Sequence, residues 1–549
     1  MSDYPYDLGV YVRTITTSSC DAQTWFDRGL NWIYGYNHEE AEVCFNKALE
    51  ADPNCSMAYW GLAYIIGPNY NKPWELFDPV ELQATLDTSR AALAQAEKNA
   101  AGATAIEQAL IKALHKRYQS NEPVPDLYVW SHAYADEMMA VYKQFPQDAD
   151  VVTLVVEAQM NLTPWKMWNP RTGEPNPVAR TLETRNMLEK GINDVRVSGA
   201  GPHPGLWHLY IHLMEMSPEP EAALRVADEI RGLVPDAGHL EHMATHIDVL
   251  CGNYQDVVVS NSNGIKADEK YWALTGAMNF YSLYRVHNYH FKLYGAMFLG
   301  RFDLAMDAVK GLKTTIPEDL IEPMANWIEG YMSVETHVLV RFGKWDELIA
   351  TSLPKDPALY CMTTALNYYG KGIAYAALGN HSAAADAQRK FEAAAAALDE
   401  GRMMHVVKCE AILGVAREML AGEVNYHKGN HEIAFAHLRK AVELEDALPY
   451  DEPWGWMMPS RHALGALLLE QGHVEEAMAA YEADLGLDNT VLRSNRHPNN
   501  VWALLGLSKC YTLLGKEKEA RMIQPQLDFA LSRSDKIHAS CFCSRDTAA

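Results

Sequence analysis

The feature that most constrains this fold is a spaced pattern of small and aromatic residues that recurs along the chain with a period of roughly 34 residues. Small residues let two helices approach closely, aromatic residues fill the space between them, and a proline ends the second helix. The first copy carries this pattern at Trp25, Gly29, Trp32, Ala41, Phe45, Ala48 and Pro53. The pattern predicts paired helices joined by a short turn.

Further copies of the pattern follow in the C-terminal half. Two of them are defined by Gly422, Gly429, Ala434 and Ala441, and by Gly465, Gly472, Ala477 and Tyr481. Others show only the turn between the two helices, at residues 299–302, 378–381 and 513–516. Because several such units in series bury a continuous core, the sequence predicts an all-α fold. The expected architecture is an α-solenoid, a right-handed superhelix of tetratricopeptide-like helix–turn–helix repeats.

The repeats are not equally regular along the chain. Helical periodicity spans residues 81–118 and 126–161, and a loop rich in proline and tryptophan follows at 165–177. The predicted segments are an N-terminal repeat and cap (1–65), irregular helical repeats with that loop (66–200), histidine-rich repeats (201–350), C-terminal repeats (351–530) and a disordered tail (531–549).

Composition excludes several classes of function. The formal net charge is −24 and no stretch is strongly basic, which argues against binding of nucleic acid or of an anionic membrane. The nine cysteines are scattered singly, so no disulfide framework and no thiolate metal site is expected. No segment approaches the roughly 18 apolar residues of a membrane span. These features predict a cytoplasmic protein.

The repeat register gathers histidines on one face of successive helices. Positions 2, 5, 9 and 12 of a repeat share one side of its first helix and line the groove. The register is anchored at the turn glycines Gly252, Gly300 and Gly343, and at Ala223 and Pro235 for the preceding repeat. The eight histidines at these positions are His208, His212, His239, His242, His246, His287, His290 and His337.

This arrangement favours a bound transition metal. Neutral imidazole is a common ligand of copper, iron and zinc, and two histidines one helical turn apart offer two nitrogens on one face. Glu215 lies three residues after His212, as a ligand, as a group that orients an imidazole, or as a general base and the candidate catalytic residue. The alternative is a histidine cluster without metal that holds an anionic or polar ligand. Residues expected to line a substrate cavity are Tyr289, Tyr294, Trp327 and His462.

Several segments resemble known families. Residues 239–248 and 286–291, followed by 300–303, resemble the tetratricopeptide repeat protein 38 family, which carries comparable histidine-rich helices in the same order. Residues 208–212, 237–247, 450–453 and 499–507 are similar to bacterial and fungal tetratricopeptide-like proteins of similar length. The resemblance implies the solenoid fold and no established activity.

Two classes of function follow from these patterns. The first is a metal-dependent enzyme that acts on a small organic molecule, with oxidation as the first expectation and metal-assisted hydrolysis as the second. The other is a protein-interaction scaffold that binds a peptide or a partner in the groove, including a pH-sensitive binder. Scaffolds that bind carboxylates usually carry lysine, arginine and asparagine at groove positions. Histidines occupy those positions in this chain, which favours the enzyme.

Overall fold

The computed structural model describes residues 4–544, which form two compact units. The N-terminal unit comprises Met1–Ile247 and Asn263–Tyr284, and the C-terminal unit comprises Asp248–Ser262 and Arg285–Ala549. Regular structure in the described residues is helical except for one two-stranded sheet. This confirms the predicted all-α class of tetratricopeptide-like helical repeats.

The helices are given in chain order. Up to the centre of the chain they are α1 (Cys20–Tyr34), α2 (His38–Ala51), α3 (Ser56–Ile65), α4 (Pro79–Lys98), α5 (Ala105–Leu114), α6 (Tyr128–Gln144), α7 (Ala149–Met160), α8 (Thr181–Ser198), α9 (Pro204–Met214), α10 (Leu224–Ile230), α11 (Gly238–Cys251), α12 (Tyr254–Thr275) and α13 (Ser282–Leu299). The later ones are α14 (Phe302–Thr315), α15 (Glu318–Ile321), α16 (Ala325–Ile328), α17 (Val334–Arg341), α18 (Trp345–Ala350), α19 (Cys361–Ala377), α20 (His381–Ala396), α21 (Cys409–His427), α22 (His431–Asp446), α23 (Ser460–Glu470), α24 (Val474–Leu485), α25 (Val501–Leu513) and α26 (Glu517–Arg533).

Shorter elements complete the regular structure. Single 3₁₀ turns lie at Trp74–Leu76, Ala100–Gly102, Pro220–Ala223, Glu329–Ser333 and Arg493–Asn495. The sheet pairs β1 (Met403–Met404) with β2 (Val407–Lys408) in antiparallel register.

Glycines mark the turn inside seven repeats of the described chain, as the register predicts. Each of them has a positive φ, between 62° and 87°, and lies one or two residues beyond the end of a first helix. A left-handed backbone at this point favours glycine because a Cβ would be strained there. The glycines are Gly252, Gly300, Gly343, Gly379, Gly429, Gly472 and Gly515. The helix ends therefore confirm the repeat register.

Glycines at the helix contacts leave space for aromatic side chains to pack between the helices. Phe45 of α2 packs so closely that a Cβ on Gly29 or Gly61 would come within 2.7 and 2.6 Å of its ring. In the C-terminal unit Tyr481 does the same against Gly465 and Gly506, at 2.6 and 2.3 Å. Any larger side chain at these glycines would have to displace a buried ring.

The irregular region contains more helices than the two periodic stretches suggest. Residues 81–118 are divided between α4 and α5, and residues 126–161 between α6 and α7. The physical reason is local capping, because Thr104 and Glu107 form a capping box that starts α5 and Asp148 caps α7. The loop at 165–177 is a packing element, since the buried Trp168 donates its indole N–H to the Leu213 carbonyl at 2.7 Å.

The predicted disordered tail differs from the described structure. Helix α26 extends to Arg533, and beyond it Ile537 and Cys543 are buried because their apolar side chains pack against the C-terminal unit. Cys541 and Cys543 are joined by a disulfide, which the spacing of the cysteines did not predict. Residues 545–549 of that tail lie outside the described residues. Among residues 4–544, no helix is both long enough and apolar enough to cross a bilayer.

Candidate functional site

Five of the predicted histidines come together in the N-terminal unit. Helix α9 supplies His208 and His212, and α11 supplies His239, His242 and His246. Each of the five side chains is at most 1% exposed. The histidines of each helix lie on one face, as the register predicts. They do not line an open groove, because aromatic side chains from other segments cover these imidazoles. The cluster is an interior site.

Three of these histidines form a group that could hold a metal ion, which we call the three-histidine site: His208, His212 and His239. Their candidate ligand nitrogens all lie within 4.8 Å of one another. Nε2 of His208 lies 3.0 Å from Nε2 of His239. Tyr36, in the turn between α1 and α2, packs against all three rings, with centroid distances of 4.6, 6.4 and 5.6 Å. The site therefore has an aromatic wall.

Glu215 lies immediately after α9 and contacts two imidazoles. Its Oε1 accepts a hydrogen bond from Nδ1 of His212 at 3.0 Å, and its Oε2 lies 2.5 Å from Nδ1 of His246. The carboxylate is buried. Of the roles predicted for Glu215, this geometry fits a group that orients imidazole rings.

Hydrogen bonds fix the tautomers of His208 and His212. The Nδ1–H of His208 donates to the Tyr34 carbonyl at 2.7 Å, while that of His212 is held by Glu215. Each neutral ring then carries its lone pair on Nε2. Nε2 of His212 is buried and has no hydrogen-bond partner among the described residues.

Burial keeps these imidazoles uncharged. It lowers the pKa of His212 to about 3 and holds the pKa values of His208 and His246 well below the usual value. For His208 and His246 the neighbouring histidines lower the pKa further, because a second positive charge nearby disfavours protonation. At neutral pH, His208, His212 and His246 are therefore neutral nitrogen donors.

The remaining predicted histidines lie in the C-terminal unit, where each packs against an aromatic ring. His287 contacts Phe291, His290 contacts Tyr331 and His337 contacts Trp456, with centroid distances of 5.1, 5.2 and 5.0 Å. Burial lowers the pKa values of His290 and His337 to about 3. The prediction that all eight histidines share one groove stays a prediction.

Of the residues expected to line a substrate cavity, Tyr289 and Tyr294 take up packing positions. Tyr294 stacks on Trp454 with centroids 5.8 Å apart, and Tyr289 packs against Gly311 of α14. Trp327 is 44% exposed on α16. Aromatic residues at repeat positions fill space between helices, which explains the difference.

His462 belongs to a buried polar network that the sequence did not reveal. Its Nδ1 accepts from the Arg341 guanidinium at 2.7 Å, and its Nε2 lies 2.7 Å from Oδ2 of Asp484. Asp484 also accepts from Nδ1 of His497 at 2.8 Å and from the Asn500 amide at 2.9 Å. The sequence indicates only His462, through its position 5 in the repeat. Its partners come from other helices and loops, so the repeat register does not reveal them.

Comparison with known proteins places the repeats in a recognised class. A tetratricopeptide repeat family model matches residues 37–55. No curated protein matches the chain. Yeast Tom70 is 12% identical, with 93% of this chain and 99% of that chain covered and a TM-score of 0.30. A monomeric mutant of IFIT1 with m7Gppp-AAAA is 13% identical, with 93% and 96% covered and a TM-score of 0.33. The APC/C hetero-tetramer Cut9–Hcn1 is 12% identical, with 98% and 79% covered and a TM-score of 0.26.

These findings correct the expectation of an enzyme. The family model that matches, at residues 37–55, is that of a tetratricopeptide repeat. It gives no support to the predicted metal-dependent oxidoreductase, to its hydrolase variant or to a small-molecule substrate. The histidine register, which favoured the enzyme, describes a buried cluster and not an open cleft. The chain is a tetratricopeptide-repeat-like protein with an all-α fold.

Proposed function

We propose that this chain is a protein-interaction scaffold and that it binds through the exposed face of its last helix, α26. The observation that carries the proposal is an apolar pair on that face, Met522 and Phe529, which are 69% and 59% exposed. The partner we propose is a second copy of the chain.

The inner face of the C-terminal repeats is already occupied. Position 5 of three successive repeats falls on Tyr369, Met419 and His462, and all three side chains are buried. Trp456, from the connection between α22 and α23, packs against Tyr369 with centroids 5.6 Å apart. The chain therefore fills its own groove in this unit, so a docking surface has to lie on another helix face.

Helix α26 is the last helix among the described residues and presents two apolar faces. Ile523 and Leu527 are buried against the unit, whereas Met522 and Phe529, two turns apart, point into solvent. A helix face that packs against nothing is ordinarily polar. Large exposed apolar side chains on one stripe mark an interaction surface.

The stripe is complementary to itself when two α26 helices lie antiparallel. In this arrangement Met522 of one copy faces Phe529 of the other. Glu519 then faces Arg533 of the other copy, since each charged residue lies three or four positions outside the apolar pair. A two-fold axis repeats both contacts, as expected for a closed dimer. The Glu519–Arg533 pairs favour this register, whereas Lys518, four positions before Met522, opposes it because it also faces Arg533.

We expect wild-type protein to be a dimer and the double variant Met522→Glu/Phe529→Glu to be a monomer. Two glutamates would bring four negative charges into the contact, which should raise the dimer dissociation constant about 100-fold or more. Size-exclusion chromatography with multi-angle light scattering, run over a dilution series, measures this change. The matched control Val43→Glu/Val259→Glu, at two sites that are each 47% exposed on α2 and α12, should leave the dimer intact.

A charge exchange tests the antiparallel register separately. Glu519→Arg and Arg533→Glu should each weaken the dimer, and the two together should restore it, because the exchanged charges again attract. A wild-type protein that stays monomeric throughout the dilution series would contradict the proposal. So would a double glutamate variant that dimerises as the wild type does.

Two finer predictions accompany this function. Kinship with the tetratricopeptide repeat protein 38 family is proposed on the histidine-rich segments at 239–248 and 286–291. A cytoplasmic location is proposed on the scattered cysteines, seven of which lie outside the Cys541–Cys543 disulfide.

A further inference from the structure

The three-histidine site of the N-terminal unit has the chemistry of a metal centre. We propose that His208, His212 and His239 bind one divalent transition-metal ion, and that the ion holds the α1–α2 turn, α9 and α11 together. This role is structural and does not depend on the proposed scaffold function.

The positions of the donor atoms are compatible with a single ion. A metal bound to imidazole at about 2.0–2.1 Å in tetrahedral geometry separates its ligand nitrogens by about 3.3 Å. The candidate nitrogens of the site lie within 4.8 Å of one another, and the Nε2 atoms of His208 and His239 are 3.0 Å apart. Small rotations of the three side chains would bring all three distances to the required value.

The groups that accept hydrogen bonds from the ligand rings are of the kinds found in metal sites. A ligating histidine usually donates its other N–H to a carboxylate or to a backbone carbonyl, which fixes the ring and raises its basicity. Glu215 does this for His212, and the Tyr34 carbonyl does it for His208. Both rings therefore direct Nε2 lone pairs inward, and Nε2 of His212 has no hydrogen-bond partner among the described residues.

A second possible ligand group, made of His212, Glu215 and His246, fits an ion less well. The atoms of that group are close because Nδ1 of each imidazole faces one oxygen of Glu215, at 3.0 and 2.5 Å. The hydrogen bond of His212 to Glu215 and the close approach of His246 leave little space for an ion between the rings and the carboxylate. Glu215 is therefore assigned as a positioning residue.

The surroundings favour a neutral donor set around a cation. Tyr36 and Tyr70 pack against His212, with centroids 6.4 and 5.0 Å away, and exclude bulk water from the site. Three neutral nitrogens with a water molecule as the fourth ligand suit zinc, and also cobalt as a spectroscopic substitute. Without an ion, a hydrogen bond between the His208 and His239 imidazoles would have to hold the cluster together.

Metal titration of tag-free, full-length protein tests the site. After removal of metals with a chelator, isothermal titration calorimetry with Zn²⁺ should show one strong site per chain. Co²⁺ should give the intense visible absorption of a tetrahedral nitrogen site. His212→Ala and His208→Ala should lose both signals, whereas the matched control His337→Ala, a buried histidine of the other unit, should keep both. Glu215→Gln should keep the stoichiometry and weaken the affinity about 10–100-fold.

Circular dichroism establishes that each variant is folded before its binding is interpreted. If an alanine variant does not fold, His239→Gln replaces it, since glutamine fills more of the space and supplies no imidazole. Failure of the folded wild-type protein to bind Zn²⁺ or Co²⁺ would overturn the proposal and would indicate a purely hydrogen-bonded cluster. Equal binding by wild type and folded His212→Ala would overturn it as well.

Discussion

Replacing Asp484 with alanine is expected to lower the free energy of unfolding of the C-terminal unit by about 3–5 kcal/mol. The Asp484 carboxylate is 1% exposed and faces His462, His497 and Asn500 at 2.7–2.9 Å. Burial alone would raise its pKa, but the two histidines outweigh burial and hold the pKa below its usual range. The variant would leave the buried Arg341 guanidinium without its counter-charge.

Chemical denaturation followed by tryptophan fluorescence measures this loss. Asp484→Asn should cost less than alanine, because the amide keeps one acceptor for the surrounding donors. The matched control Asp528→Ala, an exposed position on α26, should change stability by no more than about 0.5 kcal/mol. An Asp484→Ala protein as stable as the control variant would show that the network contributes little.

Arg341 explains why the network has to be complete. Its guanidinium lies 3.9 Å from the Trp502 ring centroid, and burial lowers its pKa to about 9 against the opposing effect of Asp484. A buried cation without a nearby anion loses hydration and gains nothing in return. The loss of Asp484 therefore affects Arg341 as much as it affects His462 and His497.

The repeat fold could be predicted from the sequence because its signals are local. A turn glycine such as Gly429 follows its helix directly, and the residues that fill the gap, such as Phe45 and Gly29, lie in the same hairpin. The period of the helix also brings His208 and His212 together on one face, where their ring centroids lie 4.9 Å apart. These properties depend on neighbours within one repeat, so that the register alone determines them.

The burial of the site and its network could not be predicted in the same way. Tyr36 reaches His208 across 172 positions of sequence, and Arg341 reaches His462 across 121. Asp484 shows no local pattern that separates it from any other acid near a helix end. Contacts of this range depend on how successive hairpins stack, which a single sequence does not encode as a motif.

Replacing Glu423 with glutamine is expected to stabilise the C-terminal unit, with a gain that grows as the pH rises. Burial raises the pKa of Glu423 from 4.5 to about 8. Between these values the native state binds a proton that the unfolded chain has lost, so that stability falls as the pH increases. The loss is about 1.4 kcal/mol per pH unit, and it amounts to about 3 kcal/mol at pH 7.

Glutamine removes this dependence because it has the shape of the protonated acid and does not ionise. Urea denaturation of wild type and variant at pH 5, 6 and 7 should therefore give a stability difference that increases by about 1.4 kcal/mol per unit. The control Glu400→Gln, at an exposed loop position of the same unit, should change stability by less than about 0.5 kcal/mol. A Glu423→Gln difference that is constant with pH would mean that this carboxylate is ionised in the native state. We expect the carboxyl group to be protonated instead, because Oε2 of Glu423 is buried and has no hydrogen-bond partner among residues 4–544.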